Sequence, residues 1–246
     1  MRTPVLLFAL ACAAAIPVFS QREPQPRVVE SAGEPGAPPS DAVVLFNGTD
    51  ISGWITKDGR PTKCTAQDGA IACKTGDGDL YSKHEFRDAQ IHLEWLEPVM
   101  PDKHSQERGN SGVYLHGRYE IQILDSYRNA TYPTGACGAL YGQAPPLVNA
   151  SRPPAEWQTY DIIFHPPRCS PEGRLLARGS VTVLENGVLV QDHTIIHDIG
   201  RGCLEGKIGE PGPLMLQDHN YPGAPFTVMK FRNIWYRPLE ETGEDK

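Results

Sequence analysis

The 246-residue sequence predicts an all-β fold, a two-sheet antiparallel sandwich of the jelly-roll kind. Three observations carry this expectation. Short β-type runs recur along the chain, and turn signals such as Asp68-Gly69, Gly117-Arg118 and Asn186-Gly187 separate them. No window sustains the i, i+3, i+4, i+7 apolar spacing of a helix.

Residues 1–20 read as a signal peptide. Arg2 supplies a short basic start, an apolar run follows from Val5 to Phe19, and compact residues precede an expected cut after Ser20. The run is too short and wrongly flanked for a stable transmembrane anchor. The alternative is a lipoprotein signal ending at Cys12 in "ALAC", with a very short hydrophobic part. Either reading exports the chain, to the periplasm or the extracellular space. Residues 21–41 are rich in Pro, Gly, Ser and Glu and are expected to form a disordered linker. Residues 42–239 form the sandwich, long enough for one sizeable core, and residues 240–246 an acidic disordered tail. A formal net charge of −7 argues against nucleic acid or an anionic membrane surface as partner.

Within the domain, "AVVLF" and "GWIT" come first, then the hairpin "CTAQDGAIAC". A two-residue type I′ turn at Asp68-Gly69 sets Thr65 opposite Ala72 and Cys64 opposite Cys73. The cysteines then form a non-hydrogen-bonded pair, with Cα atoms about 4.5 Å apart, near the short end of the disulfide range. A Cys64–Cys73 bridge is expected. Cys169 with Cys203 is the next pairing, leaving one thiol over, and buried free thiols are the alternative. No cysteine or histidine spacing marks a structural zinc.

"DLYS" and "QIHLEWLE" follow; the second alternates Ile91, Leu93 and Trp95 with His92, Glu94 and Leu96, as a strand with one core face does. Two long irregular stretches, 97–110 and 126–156, interrupt the pattern, and such loops are functional or disordered. Between them "SGVYLH" and "YEIQIL" form a hairpin about Gly117-Arg118. "TYDIIFH", "SVTVLE", "GVLVQDHTII", "PLMLQDH" and "FRNIWYR" complete the strands. Trp54 and Trp235 are assigned to the core.

The chemistry centres on "GRYEIQILDS". Tyr119, Ile121 and Ile123 share one face of this strand, and Glu120, Gln122 and Leu124 the other. Asp125 falls on the isoleucine face unless a β-bulge re-aims it; with a bulge, Glu120, Gln122 and Asp125 line one open face. Two carboxyl groups facing one sugar are what glycosidic cleavage uses. A solvated strand face is the plain alternative.

The surroundings of the strand decide between these. "LFNGTDISGW", "RGNSGVYLHGRYEIQILD", "EWQTYDIIF", "GPLMLQDHNYPG" and "FRNIWYRPL" together resemble, in this order from Val44 to Pro238, the 3-keto-disaccharide hydrolase domain family. The resemblance implies a concanavalin A-like lectin/glucanase sandwich, an exported bacterial location and a glycoside substrate already oxidised at C3. The strand is also similar to the Glu-x-Asp-x-x-Glu strand of laminarinase-type glycosidases, with Gln122 in place of the central acid and Asp125 in place of the last.

A ketone at C3 acidifies the C2 proton, so a base can remove it, the glycosidic oxygen leaves from C1, and water adds to the enone. Glu120 is the expected base and Asp125 or His219 the acid. Gln122, Arg118 and Arg232 are candidates to hold hydroxyls or the enolate oxygen, and Gln217 shares a face with His219. Arg232 has a structural alternative, pairing with an acid across the sheet. Tyr114, Tyr141 and Trp157 are candidate platforms for a pyranose ring. A divalent cation would serve the enolate, with His92, Glu94, Glu120, Asp125, Asp218 and His219 as possible ligands, though no motif marks such a site. The competing readings are a carbohydrate-binding module without turnover and an ordinary glucan hydrolase. The last requires Glu120 and Asp125 to face each other.

Overall fold

The computed structural model describes residues 27–31, 33–200, 202–205 and 208–239. The expected signal peptide, 1–20, and the acidic tail, 240–246, lie outside the described residues. β1 (Val43–Phe46), β2 (Trp54–Ile55), β3 (Thr65–Gln67), β4 (Ala70–Lys74), β5 (Leu80–Phe86) and β6 (Ala89–Leu96) come first. β7 (Asn110–Leu115), β8 (Tyr119–Leu124) and β9 (Gln158–His165) follow. β10 (Arg168–Cys169) and β11 (Leu175–Ala177) make a small ribbon, and β12 (Ser180–Glu185), β13 (Val188–Ile195), β14 (Gly212–Leu216) and β15 (Val228–Pro238) close the domain.

Two antiparallel sheets result, as the alternation predicted. One has eight strands in the order β13-β12-β9-β6-β15-β4-β3, with β1 also paired to β15; the other has five, β2-β5-β14-β7-β8. Ile91, Leu93 and Trp95 of β6 meet Ile121 and Ile123 of β8 in the core between the sheets, all fully buried. Burial of these side chains is the main force holding the layers together. Trp54 joins this core and donates its indole N–H to the Leu45 carbonyl at 3.0 Å.

The β3–β4 hairpin has the expected register, with Thr65 opposite Ala72. Asp68 and Gly69 have φ of 50° and 77°, the left-handed pair a type I′ turn requires. Cys64 and Cys73 are bridged with Cα atoms 4.5 Å apart. Cys169 and Cys203 form the second bridge, and Cys137 is a buried free thiol. Two disulfides suit an oxidising compartment. Among the described residues no helix is long and apolar enough to cross a membrane.

Part of the expected linker is built into the domain. The Gly36 carbonyl accepts the Trp235 indole N–H at 2.9 Å and the Asn233 amide at 2.8 Å, and Asp41 accepts from Arg27 and Arg237. The reason is Trp235. It lies on the outer face of the eight-stranded sheet, stacked on His92 at 5.3 Å, rather than in the core between the sheets. Residues near Gly36 cover it and supply the acceptor its buried N–H needs.

Candidate functional site

The site is built on the hairpin of β7 and β8. The turn centres on His116-Gly117, one residue earlier than the sequence suggested, with φ of 56° and 62°. Leu115 pairs Tyr119 and Tyr114 pairs Glu120, so Tyr114 and Glu120 stand side by side on the face away from the core. His116 accepts a left-handed backbone because its ring is packed between Phe86 and Phe164. Gly212 leaves the space; a β-carbon there would lie 2.7 Å from the His116 β-carbon.

Loops roof this face, which is why every residue of β8 is buried. The turn at Ser105–Glu107 brings in Gln106. Residues 138–141 run along β8 as an added edge: Gln122 N–H donates to Ala139 O and Tyr141 N–H to Glu120 O, both at 3.0 Å. The two irregular stretches noted in the sequence are therefore the cover of the site.

Glu120 is 9% exposed. Its Oε2 accepts the Tyr114 hydroxyl at 2.7 Å, and Tyr114 in turn accepts the Gln217 amide at 3.0 Å. With its amide nitrogen turned toward the carboxylate, Gln122 donates to Glu120 Oε1 at 3.0 Å and to the Ser111 carbonyl at 3.1 Å. Burial pushes the Glu120 carboxyl up to about 7, against the pull of the Tyr114 hydrogen bond. Burial, and then the charge of Glu120, raises the Tyr114 phenol further, so it stays protonated.

Two cavities meet at this carboxyl. A small one of about 100 Å³ is lined by Gln106, Asn110, Gln122, Gln217 and His219, besides Tyr114, Glu120 and Tyr141. A larger one of about 330 Å³ shares the last three and adds Arg118, Gln143, Asp198 and Ile199. Gln217 Oε1 is buried without a partner among the described residues, an acceptor that a ligand hydroxyl would satisfy. His219 follows β14, which ends at Leu216, so it sits in a loop rather than on the expected strand. Burial lowers its proton affinity, with Asp218 opposing.

Glu120, Gln122, Arg118, Tyr114, Tyr141, Gln217 and His219 thus come together as the sequence suggested. Three candidates do not. Asp125 is 1% exposed and turned inward, its Oδ2 3.2 Å from Arg108 Nη1 and its Oδ1 accepting the Tyr127 N–H. β8 pairs with β7 without a register shift, so no bulge re-aims Asp125. Arg232 lies opposite Glu94 on the eight-stranded sheet and donates to it at 2.7 Å, while its guanidinium stacks 3.9 Å above Trp157. Arg232 and Trp157 therefore form a structural pair on the other sheet.

The possible metal ligands are also dispersed. His92 donates to Asp161 at 2.7 Å beside Glu94 on the eight-stranded sheet. Burial alone would lower His92, but Asp161 and Glu94 raise it to about 9, so it is held as a cation. Asp218 accepts the N–H groups of Gly76 and Gly78, both at 2.9 Å, and ties that loop. Among the described residues no group of three or more His, Cys, Asp or Glu is placed to hold a metal ion.

Gln106, Gln143 and Asp198 went unrecognised in the sequence because loops carry no periodicity, and Asn110 because it opens β7 at the end of a long irregular stretch. Gly112 was equally silent. A β-carbon there would sit 2.3 Å from Glu120 Oε1 and 2.9 Å from Tyr114 Cε2. Gly112→Ala is expected to destabilise the fold by about 1–3 kcal/mol through overpacking. Shortening the neighbour in Gly112→Ala/Glu120→Ala should recover part of that loss. Urea denaturation of the single and double variants checks this, and strictly additive losses would contradict it.

Comparison with known proteins bears on this site. Residues 41–237 match the family described as the 3-keto-alpha-glucoside-1,2-lyase-like domain. A 3-keto-disaccharide hydrolase from Bacteroides thetaiotaomicron is 25% identical over 162 residues, 50% of this chain and 52% of that protein. The chain thus spans about half the length of this curated relative. A crystal structure of a candidate glycosyl hydrolase from Parabacteroides distasonis is 40% identical with a TM-score of 0.79, covering 89% of this chain and 94% of that one. A second such structure from the same organism, 19% identical with a TM-score of 0.55 over 81% of this chain and 94% of that one, shares the fold.

Proposed function

The chain belongs to the 3-keto-alpha-glucoside-1,2-lyase-like domain family, and from that premise we propose that it cleaves the glycosidic bond of 3-keto glycosides by elimination and hydration. One observation carries the reading. A single buried carboxyl with its proton affinity tuned to about 7 stands where two cavities meet. That value suits a general base at neutral pH.

Glu120 removes the proton from C2, and the electron pair passes to the C3 carbonyl as an enolate. The enolate collapses, the C1–O bond breaks, and the leaving oxygen takes a proton. Protonated Glu120 is the donor at hand, since it touches both cavities. His219, favoured as the neutral ring, donates a hydrogen bond to the developing oxyanion together with the amides of the small cavity. Water then adds at C1 and a proton returns to C2, giving net hydrolysis. Tyr114 holds the Glu120 carboxyl in place, and Tyr141 offers an aromatic wall.

Asp125, buried against Arg108, argues against a two-carboxylate glycosidase using this pair. The test is incubation of the purified protein with 3-keto-trehalose and, separately, trehalose. Sugar release from the keto compound alone is expected. Cleavage of trehalose at a comparable rate would overturn the keto requirement. Binding of either without cleavage would identify a carbohydrate-binding module instead.

A further inference from the structure

Pockets that take a small organic molecule run to about 300–1,000 Å³. The 330 Å³ cavity reaches that range, whereas the 100 Å³ cavity falls well short of it. At about 30 Å³ per molecule, the small cavity has room for roughly three waters. We propose that the small cavity is a water site, and that the water which hydrates the eliminated sugar comes from it rather than from bulk solvent. The inference rests on reading Glu120 as the base of the elimination, with the ring in the larger cavity and its C1–C3 edge at the junction.

Three features support it. Apolar cavities stay dry, while polar ones that offer two to four hydrogen bonds hold water. Every side chain around the small cavity carries a hydrogen-bonding group, whereas the larger cavity includes the apolar Ile199. Gln217 borders the small cavity alone of the two, and its Oε1 is buried without a partner among the described residues. A water O–H is the donor that atom needs. The walls are also held open. Gln106 donates to Gly135 O at 2.9 Å, Asn110 to Gln106 O at 3.0 Å and Gln217 to the Tyr114 hydroxyl at 3.0 Å, so none of these amides is free to swing inward.

The hydration step balances with Glu120 as its only acid and base. After passing the C2 proton to the leaving oxygen, Glu120 is a carboxylate again and borders the small cavity. It takes a proton from a water there as the water oxygen bonds to C1. The C1–C2 π pair shifts to leave an enolate at C3, and protonated Glu120 returns the proton to C2. One water is consumed, and nothing is oxidised or reduced. A ring in the larger cavity covers Glu120 on that side, which leaves the small cavity as the source of the water.

Asn110→Leu fills part of the space, and Gln217→Met removes the unpartnered acceptor at nearly constant size. Both should be compared with wild type on 3-keto-trehalose, following the enone by its ultraviolet absorbance and the hydrated 3-keto sugar by chromatography. The readout is the ratio of the two products, which a general loss of rate or of folded protein does not move. Wild type should release the hydrated sugar almost alone, and each variant should raise the enone share about tenfold, the scale of one lost hydrogen bond. A ratio unchanged in both variants, or enone as the main product of wild type, would overturn the water site. Supplying the enone itself separates this idea from the elimination reading. If wild type hydrates it faster than buffer does, and the variants do so about tenfold more slowly, the water site stands even where 3-keto-trehalose is not cleaved. If wild type leaves the enone untouched, the water site falls even where cleavage proceeds.

Discussion

Glu120→Gln is expected to lower kcat/KM on a 3-keto glycoside by about 10²–10⁴-fold, the usual contribution of a general base. The substitution preserves shape, and the amide oxygen can still accept the Tyr114 hydroxyl, so the site should stay assembled. Stability should not fall. A carboxyl raised from 4.5 to about 7 favours folding only while protonated, and that contribution is lost as pH rises through 7. At pH 8 the glutamine variant should therefore be at least as stable as wild type, and lost turnover cannot be blamed on unfolding.

The same assignment fixes a pH profile. The base must be ionised, so wild-type kcat/KM should fall about tenfold per pH unit below pH 7 and level off above it. Tyr114→Phe removes a hydrogen bond that lowers the Glu120 value, and should move the midpoint upward. A profile flat between pH 5 and 8, or a glutamine variant retaining a tenth of wild-type activity, would remove Glu120 as the base.

How much of this the chain discloses locally differs from element to element. The β3–β4 hairpin is legible because its register depends on two adjacent residues, Asp68 and Gly69, whose left-handed backbone is a local property. The face on which Glu120 and Gln122 lie is legible for the same reason: parity along a strand is local. The turn at His116 is not. Its backbone is set by Phe86, Phe164 and Gly212, which are distant in sequence.

Strand parity also names a face without saying what covers it. Trp157 reads as a sugar platform and Arg232 as either a sugar contact or the partner of an acid across the sheet; Glu94, opposite Arg232 in the register of β6 and β15, holds the guanidinium, as the second reading of Arg232 expects. Asp125 could be placed on an open face only by a bulge, and regular pairing through Leu124 leaves it facing Arg108. Composition misleads in the 33–41 region, where Pro and Gly suggest a linker while Gly36 supplies the acceptor for Trp235. The loop residues of the site escape notice altogether, since Gln106, Gln143 and Asp198 gain meaning only from the strands they lean on.

A second large effect lies behind the site, at Glu97. This carboxyl is fully buried; its Oε1 accepts the Trp95 indole N–H at 2.9 Å, and Gln158 Nε2 lies 3.5 Å from its Oε2. Burial first, and then the neighbouring Asp125 and Glu185, push it up to about 8. The folded chain thus holds a proton that the unfolded chain releases near its ordinary value of 4.5. Stability from this group is complete below 4.5, declines as pH rises, and is gone above about 8. Glu97→Gln keeps the acceptor for Trp95 and cannot ionise. Between pH 5 and pH 9 the wild type should lose about 3–5 kcal/mol relative to the variant, because each tenfold change in proton affinity is worth roughly 1.4 kcal/mol. Urea denaturation of both proteins at the two pH values measures this directly, and parallel curves would mean that Glu97 is already ionised in the fold.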